Sequence, residues 1–374
     1  MESTTPSRLG RRAVLVKPHQ PVEIWESPVE PPTGADVLVE VEMAGVCGTD
    51  HHYFIGEVDL PGPMVFGHEG IGRVVELGPE AQTDCVGDPI KPGDRVYWVP
   101  LKPCHRCHAC TILEDTSLCP HQSPGRFRDP RLTPYATYTD FALLPPGMAF
   151  FKVPEGTPSE AVIAFGCAMP TMLHAIERLG EIRLGDSVVV QGCGPVGLAA
   201  TLLARLAGAG DITVIGAPDA RLEMARRLGA TSTIDLDAAA TSAERAEAVL
   251  DASDGRGADI VIEAAGKLAA FGEGMQLVAR GGRYLVVGLW SAPGRAPIEP
   301  RHVNNTNIRI IGSALSRPRH IHQAVQVARR HHERLPLAEA VSHRFGLAQA
   351  QQAIESAGRQ ETVKAVIEPG RDRT

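Results

Sequence analysis

Hydrophobic and polar positions follow two different periods along this chain. Up to about residue 155, short β-branched runs alternate with glycine and proline, as in AVLVK, DVLVEVEMAGV, GIGRVVELG and DRVYWVP. This alternation is typical of strands that are joined by turns. From Ser159 onward, apolar residues recur every three or four positions through SEAVIAFGCAMPTMLHAIERL, and that spacing predicts a helix. The pattern thus indicates a β-rich first part that ends at a helical segment.

From Asp186, apolar strands and amphipathic helices alternate. SVVVQG precedes PVGLAATLLARLAG, and DITVIG precedes ARLEMARRLG. The strands DIVIEAAG and RYLVVGLW follow, with a helix expected between them around residues 275–279. Strand runs that are apolar almost throughout are expected where helices cover both faces of a sheet. The series therefore predicts the α/β class with a doubly wound parallel sheet. A last strand, IRIIGSAL, is followed by helical patterns at about 321–330 and 347–357 and by the strand KAVIEP.

Composition narrows the classes of partner. The chain has 374 residues, of which 43% are hydrophobic, and its net charge is −7, so charge gives no reason to expect nucleic acid or an anionic membrane as partner. No apolar run approaches the ~20 residues of a membrane helix, and the first residues lack the apolar core of a secretory signal. We expect a cytoplasmic protein, because clustered cysteines of the kind described next are typical of a reducing compartment.

Four of the eight cysteines lie within one short stretch that reads CHRCHAC and then Cys119. Thiols with this spacing can surround one Zn²⁺ tetrahedrally, and a site with four thiolates has no position left for a substrate. We therefore predict a structural zinc site at Cys104, Cys107, Cys110 and Cys119.

A glycine-rich turn lies between the first strand and the first helix of the alternating series. The sequence GCGPVG directly follows SVVVQG and opens an amphipathic helix, which is the context in which GxGxxG binds a dinucleotide. The glycines allow a tight turn, close approach to a pyrophosphate and close packing of helix on strand. The predicted binding residues are Gly192, Gly194, Pro195, Val196 and Gly197.

The end of the next strand bears on the choice of cofactor. An acidic residue there would bind the ribose hydroxyls of NAD and repel the 2′-phosphate of NADP. Gly216 stands at that place, and Arg221 lies nearby on the following helix. Because the acid is missing and no Ser-Arg pair follows, the sequence leaves NAD and NADP both open, with Gly216 and Arg221 as the expected ribose-side residues.

A second, smaller set of zinc ligands is spread along the β-rich part. Cys47 ends an apolar strand, His68 stands in a GHEG turn, and Cys167 lies in the helical segment. Two thiolates and one imidazole leave one coordination position open, as in catalytic zinc sites.

The order of these motifs resembles that of the zinc-containing medium-chain dehydrogenases and reductases, the alcohol dehydrogenase superfamily. GVCGTDHH, GHEGIGRVVELG, the four-cysteine segment and GCGPVG occur in the family's order over nearly the whole chain. The resemblance implies a GroES-like catalytic domain at residues 1–168, a Rossmann cofactor-binding domain at 169–318 and a C-terminal segment at 319–374 that returns to the catalytic domain. It also implies two zinc ions per chain, NAD or NADP, and a homo-oligomer, either dimer or tetramer.

The resemblance also assigns roles to single residues. Cys47, His68 and Cys167 would hold the catalytic zinc, with Glu69 as an adjacent carboxylate, while Asp50 would orient His68. Thr49 would hydrogen-bond the substrate hydroxyl. A surface histidine would release the proton, with His52 favoured by spacing and His51 as the alternative. Lys364 would contact the cofactor pyrophosphate.

The expected reaction is hydride transfer between an alcohol and a nicotinamide cofactor. Apolar pocket candidates favour a secondary or cyclic alcohol, and they are Tyr53, Val58, Trp98 and Trp290. A polyol or sugar-alcohol dehydrogenase is the alternative within the same fold, and a non-catalytic nucleotide-binding relative is the alternative outside catalysis.

Overall fold

The computed structural model describes residues 8–122, 129–131, 135–291 and 294–373 of the chain. The chain forms two compact units. Unit 1 comprises Met1–Cys167 and Arg317–Thr374, and unit 2 comprises Ala168–Ser316. The last part of the chain thus belongs to the same unit as the first part.

The strands, in chain order, are β1 Leu9–Leu15, β2 Glu23–Pro28, β3 Val37–Gly45, β4 Met64–Val65, β5 Gly70–Leu77, β6 Arg95–Trp98, β7 Phe141–Leu144, β8 Phe150–Lys152, β9 Ser187–Gln191, β10 Asp211–Gly216, β11 Ser232–Asp235, β12 Ala258–Glu263, β13 Val278–Val286, β14 Arg309–Gly312, β15 Val341–Phe345 and β16 Lys364–Ile367.

The α-helices are α1 Gly48–Phe54, α2 His108–Thr111, α3 Ser159–Ile163, α4 Ala168–Leu179, α5 Pro195–Ala207, α6 Asp219–Leu228, α7 Ser242–Asp251, α8 Leu268–Leu277, α9 Pro300–Thr306, α10 Pro318–His331 and α11 Ala350–Gly358. None of the helices in the described ranges has the length and apolar composition needed to cross a bilayer.

Unit 1 is built on two sheets. One has the order β2-β1-β4, and the other has the order β15-β16-β3-β5-β6-β8, with β7 also paired to β3. The pairs around β3 and β5 are antiparallel, and β16 joins β3 at its end, where Ile367 lies opposite Ala44. The C-terminal strand is therefore part of the same sheet as the strand that leads to Cys47. Buried side chains from these strands and from α11 form the unit's main core.

Unit 2 contains a parallel sheet with the order β11-β10-β9-β12-β13-β14. The first strand of the series, β9, lies inside the sheet. The next strands, β10 and β11, are added on one side of it and the later strands on the other, as in a doubly wound fold. The predicted α/β class and doubly wound parallel sheet are confirmed. The glycine-rich turn follows the central strand β9, where ligands bind in such sheets.

Two predicted helices differ from the observed ones. The continuous helical pattern from Ser159 is interrupted, because α3 ends at Ile163 and α4 begins at Ala168. The helix expected around residues 275–279 instead spans Leu268–Leu277, and β13 begins directly after it. The interruption at 164–167 matters most, since it contains Cys167.

Candidate active site

Three side chains that are far apart in sequence converge in unit 1. The Sγ atoms of Cys47 and Cys167 are 3.7 Å apart, and Cys167 Sγ is 3.5 Å from His68 Nε2. A tetrahedral zinc with bonds of about 2.3 Å to sulfur and about 2.05 Å to nitrogen would hold these pairs about 3.8 and 3.6 Å apart. These two distances match the spacing that Zn²⁺ requires, and the third pair, Cys47 and His68, has donor atoms within 4.8 Å of each other.

The local backbone explains why the three side chains meet. Cys47 follows β3 and is the N-cap residue of α1. The interruption between α3 and α4 turns the chain at Gly166, whose φ of +50° favours glycine. The carbonyl of Gly166 accepts a hydrogen bond from the buried Tyr97 hydroxyl at 3.0 Å. Cys167 is thus presented from a fixed turn rather than from the middle of a helix.

Asp50 contacts two of the three residues, Cys47 through its backbone and His68 through its ring. Its Oδ2 accepts a hydrogen bond from the backbone N–H of Cys47 at 3.1 Å, and its Oδ1 lies 3.3 Å from His68 Nδ1. A carboxylate behind a ligating imidazole fixes the ring so that the other nitrogen faces the metal. Here His68 Nδ1 faces Asp50 and Nε2 faces Cys167, as that arrangement requires.

The electrostatics of this cluster favour a cation at its centre. Burial opposes protonation of His68, but the charges of Asp50 and Cys47 outweigh it and raise the pKa of His68 to about 10. Hydrogen bonding with Cys167 lowers the pKa of Cys47 well below its ordinary value, against the effect of burial. A thiolate in this position is the form that binds zinc.

Glu69 is near the donor atoms but is held by other partners. It belongs with Cys47, His68 and Cys167 to a group whose possible ligand atoms all lie within 4.8 Å of one another. Its Oε1 accepts the N–H of Cys167 at 2.9 Å, and its Oε2 accepts from Lys364 Nζ at 2.5 Å. Glu69 therefore links the turn at Cys167 to the C-terminal strand β16.

Lys364 lies in unit 1 and is 2% exposed. Its ammonium group donates to Glu69 and to the carbonyl of Val46, 3.0 Å away. In this structure the Lys364 charge is paired with a carboxylate beside the candidate zinc site. The pyrophosphate contact that the family resemblance implies stays a prediction.

The remaining polar candidates lie on α1. Thr49 Oγ1 is 3.6 Å from Cys47 Sγ, beside the donor atoms. His52 is half-exposed, and its Nδ1 lies 2.5 Å from a carboxylate oxygen of Glu57. His51 packs against α11, since a Cβ on Gly358 would lie 2.1 Å from its ring. Burial lowers the pKa of His51, and the neighbouring His52 lowers it further.

The four-cysteine segment forms a separate cluster, in which the possible ligand atoms lie within 4.8 Å of one another. Cys107 Sγ is 3.5 Å from Cys110 Sγ and 3.9 Å from Cys119 Sγ. All eight cysteines of the chain are free thiols, so disulfides do not compete for these sulfurs. The backbone N–H of Arg106 is the main cause that lowers the pKa of Cys104, to about 6. Free, clustered thiols at this spacing fit a zinc ion with four sulfur ligands.

The glycine-rich turn of unit 2 has the shape of a phosphate cradle. Gly194 is the N-cap of α5, and Pro195 follows in the first turn. A Cβ on Gly197 would lie 1.8 Å from the carbonyl oxygen of Gly192, so this close packing requires glycine. At Gly194, by contrast, the nearest atom to an added Cβ would be an Arg221 guanidinium nitrogen at 4.0 Å. The turn is therefore tightly packed at Gly197 and open at Gly194, beside the Arg221 guanidinium. An open backbone position next to a cation fits a pyrophosphate.

Gly216 ends β10, and its place is shaped by Cys193. A Cβ at residue 216 would lie 2.4 Å from Cys193 Sγ. The Cys193 thiol is buried and contacts the carbonyl of Ala217 at 3.2 Å. Cys193, the variable residue of the glycine-rich turn, thus occupies the space that an acidic side chain at residue 216 would need.

Two of the expected pocket residues belong to the core instead. Trp98 has no exposed surface, and its Nε1 donates to the carbonyl of Tyr135 at 3.0 Å, so the expectation that it lines a pocket is wrong. Tyr53 is 7% exposed and also packs in the unit 1 core, against which Val58 is partly buried. The side chain of Trp290 lies outside the part of the chain that the structure describes.

Sequence reasoning missed Tyr138. Its hydroxyl donates to Asp50 Oδ2 at 3.0 Å, and the residue is fully buried. A single tyrosine in a β-rich segment has the sequence pattern of an ordinary core residue, so no local feature distinguishes it.

Known proteins share this chain's sequence pattern and fold. Residues 33–155 match the alcohol dehydrogenase GroES-like domain, and residues 195–330 match the zinc-binding dehydrogenase family. The chain is 45% identical over 360 residues to the 5-exo-hydroxycamphor dehydrogenase of Pseudomonas putida, covering 96% of this chain and 98% of that protein. The predicted GroES-like part is thereby confirmed.

Solved structures show the same fold. An alcohol dehydrogenase from Thermotoga maritima is 31% identical with a TM-score of 0.88, covering 96% of this chain and 99% of that one. A zinc-binding dehydrogenase from Sinorhizobium meliloti bound to NADP is 26% identical with a TM-score of 0.84, and the match covers 97% of this chain and 100% of that one.

Proposed function

The chain belongs to the zinc-type medium-chain alcohol dehydrogenase family, and from that premise we propose that it interconverts a cyclic secondary alcohol and its ketone, with a nicotinamide dinucleotide as the hydride carrier. The observation that carries the proposal is the convergence of Cys47, His68 and Cys167 at zinc-ligand spacing. The choice of a cyclic secondary alcohol is supported by the similarity to a dehydrogenase of hydroxycamphor.

In this proposal Cys47, His68 and Cys167 hold the catalytic zinc, and the four-cysteine cluster holds the structural one. Bound zinc supplies Lewis acidity that lowers the pKa of an alcohol hydroxyl, and bound nicotinamide accepts the hydride. Asp50 keeps the His68 ring oriented. Lys364 pairs with Glu69 and so keeps that carboxylate's charge from adding to the two thiolates beside it.

Polar side chains of α1 transfer the proton of the substrate hydroxyl. Thr49 Oγ1, beside Cys47 Sγ, accepts a hydrogen bond from the substrate hydroxyl. His52 takes the proton to solvent, because its side chain is 31% exposed and its ring is oriented by Glu57. His51 is less suited to this role, since its ring packs against α11 at Gly358.

Residues of the glycine-rich turn hold the dinucleotide. The backbone N–H groups at the start of α5 would bind the pyrophosphate, and the helix dipole would favour its negative charge. Arg221 provides a cation beside Gly194. NAD and NADP must be tested separately, because Gly216 carries no carboxylate that would repel a 2′-phosphate.

The decisive experiment measures turnover and metal content on the same purified protein. Formation of reduced nicotinamide is followed by absorbance with NAD⁺ and NADP⁺ separately, against bicyclic, simple cyclic, linear secondary, primary and polyol alcohols. We expect the highest kcat/KM with a cyclic secondary alcohol, and two zinc ions per chain by elemental analysis. The highest kcat/KM with polyols would show that polyols, rather than cyclic secondary alcohols, are the substrates. A protein that binds nucleotide but holds one zinc ion or none would instead favour a non-catalytic relative.

Matched variants test the proton path. Thr49→Val and His52→Gln should each lower kcat by about 10²–10⁴, the usual contribution of a positioned proton-transfer group. His51→Gln is the control, because it changes the adjacent ring on the same helix, and it should change kcat much less. A larger loss in His51→Gln than in His52→Gln would move the relay to His51.

A further inference from the structure

We propose that the hydroxyl group of Tyr138 is a positioning group for the catalytic-zinc site, because it holds the carboxylate that orients His68. The inference rests on the zinc site of the proposed function, but not on the identity of the alcohol or of the nucleotide. The hydrogen bonds of the Tyr138 hydroxyl go to Asp50 and to the Gly45 carbonyl, so its effect on the site passes through Asp50.

The hydrogen bonds of Asp50 define this role. Asp50 is fully buried, and its Oδ2 accepts from the Tyr138 hydroxyl at 3.0 Å and from the Cys47 N–H at 3.1 Å. Its Oδ1 is then directed at His68 Nδ1, 3.3 Å away. A buried carboxylate with one oxygen held by two donors cannot rotate without losing both bonds. The Tyr138 hydroxyl therefore fixes which oxygen faces the imidazole.

The Tyr138 hydroxyl has a second acceptor within reach, the carbonyl of Gly45 at 3.4 Å. The contact with Asp50 is shorter, and hydrogen bonds to a charged acceptor are the stronger ones. Burial raises the pKa of Tyr138 well above its ordinary value, and the nearby carboxylate raises it further. The hydroxyl consequently keeps its proton and serves as a donor.

The backbone around His68 is shaped to the Tyr138 ring. Gly67, directly before His68, has a φ of +90°, and a Cβ there would lie 2.3 Å from Tyr138 Cδ1. The N–H of Tyr138 donates to the carbonyl of Phe66 at 3.0 Å. The ring thus packs against the turn that presents His68, while the hydroxyl contacts the carboxylate behind it. Removing only the hydroxyl separates these two effects.

The test is Tyr138→Phe, which keeps the ring and deletes the oxygen. Zinc affinity at the catalytic site is measured by competition with a chromophoric chelator, with Zn²⁺ alone and without alcohol or nucleotide. Changes behind a ligating histidine typically weaken metal affinity 10–100-fold, and we expect roughly a tenfold loss in Tyr138→Phe. The four-cysteine site serves as an internal control, because it should keep its zinc with unchanged affinity if the chain folds normally.

A double-mutant cycle distinguishes positioning from a general effect of the substitution. In the Asp50→Asn background, Tyr138→Phe should cause little further loss, because the carboxylate through which it acts is gone. Tyr284→Phe is the matched control, since it removes a buried hydroxyl that contacts Gln191 in unit 2, and it should leave zinc affinity unchanged.

Two results would overturn the inference. One is a Tyr138→Phe variant with the zinc affinity of the unaltered protein, and the other is an equal tenfold loss with and without Asp50. In either case the unaltered protein would still bind two zinc ions, so the proposed function would stand. An unaltered protein that binds zinc only at the four-cysteine site would instead contradict both proposals.

Discussion

Lys364→Met should destabilise unit 1 strongly. The side chains of Lys364 and Glu69 are each 1% exposed and 2.5 Å apart, and methionine keeps much of the volume while removing the charge. Glu69 would remain buried with its bond to the Cys167 N–H but without a countercharge. Removing one partner of a buried ion pair costs about 3–5 kcal/mol. At roughly 2–4 °C per kcal/mol for a unit of this size, the melting temperature should fall by about 6–20 °C.

Differential scanning calorimetry of the zinc-loaded protein measures this loss. The matched control is Arg344→Met, which breaks ion pairs with Glu160 at 2.8 Å and with Glu368. The side chains of Arg344, Glu160 and Glu368 are 36%, 30% and 22% exposed. Exposed pairs contribute about 0–1 kcal/mol, so this variant should melt within a few degrees of the unaltered protein. The double variant K364M/E69Q should recover more than half of the loss, because no buried charge is then left unpaired.

A Lys364→Met variant that melted no lower than Arg344→Met would refute the role of the buried ion pair. A K364M/E69Q variant no more stable than Lys364→Met would refute it too, because the loss would then come from packing around residue 364 rather than from the unpaired Glu69 carboxylate.

Three further outcomes follow from other parts of the structure. Burial raises the pKa of Asp140, but hydrogen bonds from Arg11 outweigh it and hold that pKa below its ordinary value. Asp140→Asn should therefore lower the free energy of unfolding at neutral pH. The urea melts of this variant and of the unaltered protein should converge as the pH falls below about 3.9, because Asp140 is then protonated and its ion pairs are lost. Gly216→Asp alone should weaken binding of both cofactors, because its Cβ would clash with Cys193 Sγ. C193G/G216D removes that clash, and its new carboxylate should repel the 2′-phosphate of NADPH. Fluorescence titrations should then show NADPH binding about tenfold more weakly than NADH, a difference of about 1.4 kcal/mol. Cys107→Ser should lose one zinc by elemental analysis and lower the melting temperature, since a structural zinc contributes directly to folding.

Each of these outcomes has a result that contradicts it. A stability difference for Asp140→Asn that persists unchanged into acid would mean that its ion pairs are not the cause. Equal cofactor preference in C193G/G216D and the unaltered protein would remove Gly216 from the ribose site. Loss of both zinc ions in Cys107→Ser would show that the two metal sites depend on each other, against the separate clusters seen here.

Local patterns were sufficient for the class of the fold and for naming the residues that cluster at the two candidate zinc sites. Alternating apolar strands and amphipathic helices from Asp186 predicted the parallel sheet, because a strand covered on both faces must be apolar throughout. The spacing of Cys104, Cys107, Cys110 and Cys119 predicted one cluster, because ligands so close in sequence can meet without the rest of the fold. GCGPVG predicted a cradle because its packing depends only on the strand before it and the helix after it.

Long-range contacts decided the rest. A helical pattern from Ser159 could not reveal the turn at Gly166, which depends on packing against Glu69, a residue nearly one hundred positions earlier. The buried pairing of Lys364 with Glu69 joins the two chain segments that form unit 1. Tyr138 has the sequence pattern of any core aromatic residue, and only the fold places its hydroxyl beside Asp50. The sequence alone determined which residue types could bind zinc and a dinucleotide. Only the tertiary structure decided which charges are buried together and which hydroxyl orients them, because the energies of such contacts depend on burial and distance rather than on neighbours along the chain.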